Sequence, residues 1–107
     1  MTQGAVPDID VRIHEPVRLR ILALLASVEQ ADFMFILRQT GTSRGNLSVQ
    51  MTRLEESGIV DVSRDFDGRR ARTVYSLTAD GIRALSDYRR SMSALLAALP
   101  AEKGKKR

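Results

Sequence analysis

Cysteine is absent from the 107 residues, and histidine occurs once, as His14. The first absence excludes disulfides, thiolate metal sites and cysteine catalysis, and it agrees with a cytoplasmic protein. A single histidine argues against a metal site built from imidazoles. The sequence also has no glycine-rich phosphate loop and no cluster of His, Asp and Glu, so it predicts neither a cofactor nor an enzyme.

Long apolar runs are missing as well. The longest candidate, residues 21–26, is far shorter than the ~20 apolar residues of a membrane span. The opening Met-Thr-Gln-Gly-Ala lacks the basic and apolar regions of a signal peptide. With 43% hydrophobic residues the chain can form one small domain. We therefore expect it in the cytoplasm, with no membrane partner.

The formal net charge of +4 depends on the last few residues. Lys103, Lys105, Lys106 and Arg107 account for four of the 17 basic residues. Without those four, 13 basic residues face 13 acidic ones, so the body of the domain is neutral. A basic face must then come from local placement. We expect residues 100–107 to be a disordered basic tail, either solvated or in non-specific contact with phosphates.

The first half of the chain predicts three helices. After a flexible arm at residues 1–13, the first helix begins near His14. Asp32 caps a second, short helix, Gly41 lies in the turn after it, and either Ser43 or Thr42 caps the third helix. The inward-facing residues are apolar: Ile21, Leu25, Phe33, Leu37, Leu47, Met51 and Leu54. Two helices joined by a short turn that contains glycine are typical of a helix-turn-helix.

The third helix has an outer face that carries no acidic residue until near its end. It runs from Ser43 to Gly58, and its first acidic residue is Glu55. Surface helices usually mix charges and place acids in the first turn. This outer face is instead neutral to basic and able to form hydrogen bonds, which suits a helix laid against DNA. An ordinary surface helix that lacks early acids is the alternative.

After the third helix the pattern changes from helical to extended. Residues 59–64 are rich in β-branched side chains, Asp67-Gly68 indicates a hairpin turn, and residues 71–77 form the returning strand. The tip of the hairpin carries two arginines, Arg69 and Arg70. Three helices followed by a hairpin with an arginine tip predict a mainly α fold with a small β-hairpin, that is, a winged helix-turn-helix.

A last helix is predicted for residues 78–99, capped by Thr78 and slightly weakened by Gly81. Its apolar residues recur at alternating spacings of three and four: Leu85, Tyr88, Met92, Leu95 and Leu99. Such a seam is typical of a coiled coil. We expect it to form the interface of a symmetric homodimer, and the alternative is that it folds back onto the domain's own core.

This order of elements resembles the small winged helix-turn-helix transcriptional regulators of the MarR/ArsR-like kind. Residues 41–48 (Gly-Thr-Ser-Arg-Gly-Asn-Leu-Ser) and 54–60 (Leu-Glu-Glu-Ser-Gly-Ile-Val) are similar to their recognition helix and first wing strand. Residues 77–82 are similar to the start of their dimerisation helix. The resemblance implies a DNA-binding domain over residues 14–77 and a dimerisation helix over residues 78–99.

The chain departs from those regulators in two ways. It is shorter than a typical MarR protein and lacks most of the extra N-terminal helix, which puts the usual ligand cleft in doubt. It also lacks the cysteines and histidine clusters of metal-sensing relatives, so we do not expect metal sensing.

The resemblance implies that the third helix of each subunit enters a major groove of double-stranded DNA. The predicted DNA contacts are Ser43, Arg44, Asn46, Ser48, Val49, Thr52, Arg53, Arg69, Arg70 and Arg72. Asn46 is expected to reach a phosphate or an adenine, and Gln50 lies too far toward the edge of the face to be included. For Arg64 and Arg72, ion pairs with aspartates of the hairpin are an equal alternative.

These features predict a sequence-specific transcriptional regulator, acting as a repressor on a two-fold operator. The alternative is a winged helix used as a protein-binding module, because fold does not determine function. A small-molecule effector is a further candidate partner, and no residue indicates its chemistry.

Overall fold

Four helices and three strands follow one another in residues 6–102, the residues that the computed structural model describes. The elements are α1 (Pro16–Ala26), β1 (Ala31–Asp32), α2 (Phe33–Thr40), α3 (Arg44–Glu56), β2 (Val60–Asp67), β3 (Arg70–Leu77) and α4 (Ala79–Ala98). The strands form one antiparallel sheet in the order β1-β3-β2. The predicted winged helix-turn-helix fold with a C-terminal helix is confirmed.

Every helix begins after a residue whose side chain accepts a hydrogen bond from a first-turn N–H, which is how helix starts are normally satisfied. The four caps are Glu15, Asp32, Ser43 and Thr78, with donor–acceptor distances of 2.7, 2.7, 3.1 and 2.8 Å. Gly41 ends α2 with φ of 68°, a left-handed conformation that glycine adopts without strain. The helix caps and the glycine turn confirm the helix-turn-helix that was predicted from the sequence.

The hairpin is longer than predicted, because β2 continues to Asp67 and β3 already begins at Arg70. A two-residue connection, Gly68-Arg69, joins the strands and forms the tip of the wing. β1 was not predicted, since a two-residue strand leaves no alternating pattern to detect. It adds a third strand along the free edge of β3 and so ties the wing to the start of α2.

The core lies between α1, α2, α3, the sheet and the first half of α4. Its largest fully buried side chains are Ile13, Ile21, Leu22, Leu25, Ile36, Leu47, Met51, Leu54 and Ile59. Each of them stabilises the fold by roughly 1.5–3 kcal/mol relative to an exposed position. Phe33 and Leu37, also predicted as core, pack against this cluster and are half-buried. No helix within residues 6–102 is long and apolar enough to cross a membrane.

The end of the predicted N-terminal arm belongs to the folded domain. Ile13 is fully buried, and the backbone N–H groups of Ile13 and His14 donate to the Asp10 carbonyl at 3.1 and 2.9 Å. The boundary at residue 13 is thus corrected, because the missing periodicity reflects a turn that packs on the core. Residues 1–5 of the arm, and residues 103–107 of the predicted basic tail, lie outside the described residues.

Gly81 is required by packing and is not simply a weak point of α4. A Cβ at this position would lie 2.2 Å from the backbone oxygen of Ile59, closer than real side chains approach. The same oxygen accepts a hydrogen bond from the Thr78 backbone N–H at 3.0 Å. The interpretation of Gly81 as a minor weakness was therefore wrong, because the contact depends on a residue that is distant in the sequence.

Gly81→Ala is expected to destabilise the protein, even though alanine favours a helix by about 1 kcal/mol over glycine. Forcing a methyl group against the Ile59 carbonyl should cost about 1–3 kcal/mol or more. Gly45→Ala, in the first turn of α3, is the matched control, because a Cβ there meets nothing within 4 Å. It should raise the free energy of unfolding by up to about 1 kcal/mol. Urea denaturation compares both, and equal stability of Gly81→Ala and wild type would contradict the contact.

Candidate nucleic-acid interface

α3 buries its apolar stripe and exposes the face predicted to read DNA. Leu47, Met51 and Leu54 are buried in the core. The outward residues of the helix are Arg44, Gly45, Ser48, Val49, Thr52 and Arg53, followed by Glu55 and Glu56 in its last turn. The first turn contains no acidic residue, so nothing offsets the partial positive charge of the helix start. This surface offers positive charge, hydroxyl groups and one apolar side chain to a partner.

A chain of polar contacts runs along the edge of α3 and anchors it to α1. Gln50 is only 7% exposed, so its amide needs partners inside the protein. Arg18 Nη1 on α1 donates to Gln50 Oε1 at 3.1 Å, and Gln50 Nε2 donates to Asn46 Oδ1 at 3.3 Å. Asn46 Nδ2 in turn donates to Thr42 Oγ1 at 2.8 Å. We call Arg18, Gln50, Asn46 and Thr42 the polar ladder.

The ladder changes the interpretation of Asn46. Both polar atoms of its amide are engaged inside the protein, so its orientation is fixed by Gln50 and Thr42. The DNA contact predicted for Asn46 stays a prediction, and the structure adds a second role, because the amide links α3 to the preceding turn. Sequence patterns do not indicate this role, because the ladder depends on Arg18, which lies on another helix.

The wing presents arginines on an extended hairpin. Arg69 in the tip, Arg70 at the start of β3 and Arg64 on β2 are all exposed. Phe66, two residues before the tip, is 72% exposed because the hairpin extends beyond the core at this point. The predicted arginine tip is therefore present as a protruding, positively charged loop.

Arg72 differs from the other wing arginines because it is held by two carboxylates. Its Nε contacts Asp65 Oδ1 at 2.5 Å, and its Nη1 lies 3.5 Å from Asp32 Oδ2. The hydrogen bond from Arg72 lowers the pKa of the Asp65 carboxyl below its ordinary value, so this partner stays ionised. Of the two interpretations given for Arg72, DNA contact or ion pairing, the structure shows the ion pairs. They join β2, β3 and the cap of α2.

The arginines divide into paired and unpaired sets. Those with an aspartate within 4.0 Å are Arg12, Arg72, Arg83 and Arg90. Five arginines of α3 and the wing have no carboxylate within 4.0 Å among residues 6–102: Arg44, Arg53, Arg64, Arg69 and Arg70. Exposed arginines without a protein counterion keep their charge available to an anionic partner. Apart from Arg72, the arginines predicted to contact DNA all belong to the unpaired set.

The predicted seam of α4 has two parts. Leu85, Tyr88 and Met92 lie against the domain's own core, and Tyr88 is 7% exposed with its hydroxyl 2.9 Å from His14 Nδ1. Tyr88 is therefore corrected from a seam residue to a core residue, as the fold-back alternative allowed. Leu95 is half-buried and Leu99 is 58% exposed. Two further exposed apolar residues of α4, Ile82 and Leu96, were not in the predicted seam.

Between Val6 and Glu102, no three side chains of His, Cys, Asp or Glu are grouped as a metal ion would require. The arrangement consists of a helix whose outer face carries no acid before its last turn, a wing with unpaired arginines, and a long helix with an exposed apolar end.

Comparison with known proteins agrees with this arrangement. The family described as winged helix DNA-binding domain matches residues 17–96. The uncharacterized protein MJ0432 of Methanocaldococcus jannaschii is 32% identical over 72 residues, which cover 67% of this chain and 78% of that protein. The transcriptional regulator homologue protein of Pyrococcus horikoshii OT3 superposes with a TM-score of 0.75 at 28% identity, covering 80% of this chain and 85% of that one.

NadR, whose structure contains 4-hydroxyphenylacetate, superposes with a TM-score of 0.65 at 27% identity. The match covers 78% of this chain and 59% of NadR, so this chain spans only part of that regulator. The structural neighbours include MarR-family transcriptional regulators. The chain belongs to the winged helix DNA-binding domain family and is similar to MarR-type regulators of transcription.

Gln50→Ala is expected to lower the free energy of unfolding by about 1–3 kcal/mol, because it removes the partner of a part-buried guanidinium and of Asn46. Arg18 is poorly placed to compensate, since its Nε is already buried without a partner in the described part of the chain. Ser48→Ala is the matched control on the same helix, because Ser48 is exposed, and it should change stability by no more than about 0.5 kcal/mol. Chemical denaturation measures both; equal effects would remove the ladder as a stabilising element.

Proposed function

We propose that this protein is a sequence-specific transcriptional repressor that binds a two-fold DNA site as a homodimer. The observation that carries the proposal is the outer face of α3, which carries no acidic residue before Glu55, beside a wing of unpaired arginines. Membership of a winged helix DNA-binding family supports DNA as the partner. A protein-binding winged helix would be expected to expose a more apolar or charge-mixed face on α3.

In the proposed complex α3 lies in the major groove, where base edges are distinguishable. Arg53 and Thr52 are the candidate base readers, because both are exposed beyond the anchored first turn of the helix. Val49, 47% exposed, suits contact with a thymine methyl group. Arg44 and Ser48 are closer to the helix start, where phosphate contacts are favoured.

The wing arginines would act differently from those of α3. Arg69 and Arg70 lie at the end of a hairpin and carry no side-chain partner that would order them among the described residues. Such side chains suit phosphates or the minor groove, where the readout of sequence is limited. We therefore assign affinity to the wing tip and base preference to α3.

The proposed dimer uses the exposed end of α4. Leu96 and Leu99, near the end of α4, are 57% and 58% exposed, and Leu95 beside them is half-buried; Ile82, near the start of the helix, is 59% exposed. Apolar side chains arranged along one helix of a small domain are suited to pairing with a second copy. Two copies related by a two-fold axis would read two half-sites, about one helical turn apart.

A small-molecule effector forms the last part of the proposal. A mainly apolar groove of about 390 Å³ lies between the end of α1 and the start of α4, lined by Leu25, Leu77, Ile82 and Leu85 among others. Its volume falls in the range of small-molecule sites, which is about 300–1,000 Å³. Because the groove lies beside the exposed apolar stripe of α4, a molecule bound there could alter the packing of two subunits.

Selection of bound duplexes from a random pool, with the full chain at physiological salt, tests the proposal. The expected result is a two-fold motif whose half-sites are separated by about 10 base pairs.

Arg53→Ala should weaken binding to that motif and relax the preference at particular bases by about 1–3 kcal/mol. The combined Arg69→Ala and Arg70→Ala variant, by contrast, should weaken all sequences alike. No enrichment by a folded dimer would favour the protein-binding alternative.

Leu96→Glu is expected to convert the dimer into a folded monomer, because it places a charge in the middle of the exposed stripe. Ala94→Glu is the matched control, since it adds the same charge to an exposed position on the opposite side of α4. Light scattering gives the mass of each, and circular dichroism verifies that both are folded. An unchanged dimer mass for Leu96→Glu would exclude this end of α4 from the interface.

A further inference from the structure

A cleft of about 720 Å³ opens between α2, the start of α3 and the wing. No part of it was identified from the sequence, because its walls come from three separate stretches of the chain. Its charged lining residues are Arg38, Arg44, Arg70, Arg72, Asp32 and Asp67. Four guanidinium groups and two carboxylates leave the cleft with an excess of positive charge.

The charges of the cleft are not equivalent. Arg72 is held by Asp65 and Asp32, and Asp32 also accepts a hydrogen bond from Phe35 N at 2.7 Å as the cap of α2. Asp32 and Arg72 are thus occupied in the wall of the cleft. Among residues 6–102, the other three arginines that line the cleft, Arg38, Arg44 and Arg70, have no carboxylate within 4.0 Å. These three remain available to a bound anion.

The position of the cleft can be compared with the path of the sugar-phosphate strand in the proposed complex. In duplex DNA a sugar-phosphate strand separates the major groove from each neighbouring minor groove. If α3 lies in the major groove and the wing tip reaches the adjacent minor groove, the strand between those grooves must pass between α3 and the wing. The cleft lies between these two elements, and it carries charge of the sign that phosphates require.

We infer that this cleft binds the DNA backbone and that Arg38, on α2, is a phosphate-binding residue alongside Arg44 and Arg70. The inference rests on the proposed function and adds to it a contact from a helix that was assigned only to the core. Arg38 also lies in the last turn of α2, where a positive charge favours the helix on its own. That structural role affects stability alone, so the salt dependence of DNA binding separates the two roles.

The test measures affinity for the selected duplex at several salt concentrations, with wild type, Arg38→Gln and Arg38→Lys. Loss of one phosphate contact should reduce the slope of log affinity against log salt by about one and leave the base preference unchanged. Arg38→Lys retains the charge and should retain most of the slope. Arg20→Gln is the matched control, because Arg20 is exposed on α1, about 200° around that helix from Arg18, which contacts α3.

Each result has one meaning. A smaller slope for Arg38→Gln but not for Arg20→Gln supports the inference. Wild-type slopes for both variants, or a changed base preference for Arg38→Gln, would overturn it while leaving DNA binding by α3 intact. Failure of the wild-type protein to bind any duplex would instead remove the proposed function, and an acidic protein partner would then be the candidate for the cleft.

Discussion

The hydrogen bonds around Thr78 hold together the elements on which the rest of the structure depends. Thr78 N donates to the Ile59 carbonyl at 3.0 Å, Thr78 Oγ1 donates to the Gly58 carbonyl at 2.6 Å, and Gly81 N donates to Thr78 Oγ1 at 2.8 Å. The end of α3, both ends of the hairpin and the start of α4 therefore meet at one point. Only glycine at position 81 allows the helix to approach the Ile59 carbonyl this closely. The orientation of the wing relative to α3 and α4 is determined here.

A second constraint is the distribution of counterions. Asp10, Asp80 and Asp87 pair with arginines near them in the sequence, and Asp65 pairs with Arg72 across the hairpin. Such surface pairs contribute little to stability, typically 0–1 kcal/mol. They also offset the positive charge of Arg12 in the N-terminal turn, of Arg83 and Arg90 in α4, and of Arg72 in the outer part of the wing. The arginines of the outer face of α3 and of the wing tip, in contrast, have no carboxylate within 4.0 Å among residues 6–102.

Much of the fold could be predicted because it is encoded locally. The caps Asp32, Ser43 and Thr78, and the glycine of the turn at position 41, each act within a few residues, and the stripe of α3 follows helical periodicity. The same periodicity also predicts the outer face of α3, because burial of the apolar stripe exposes the opposite side of the helix.

The features that were missed depend on contacts between distant parts of the chain. The polar ladder needs α1 beside α3, the ion pairs of Arg72 need the wing beside α2, and the packing of Tyr88 needs His14. A two-residue strand such as β1 has no periodicity of its own to detect, and the cleft that contains Arg38 has walls from three segments. Sequence patterns describe faces of single elements, and they do not indicate which faces meet.

Arg72 has a mechanical consequence as well as an electrostatic one. From Leu77 to Arg70 the hairpin extends about 23 Å at roughly 3.3 Å per residue, so it acts as a lever mounted on the sheet. A tilt of about 10° at its base would displace the tip by about 4 Å. That displacement is close to the distance between neighbouring β-strands, which is about 4.7 Å. The bridge from Arg72 to Asp32 and Asp65 fastens the outer part of this lever to α2, only two residues from Arg70. The ion pairs of Arg72 therefore restrict how far the outer part of the wing can tilt relative to α2.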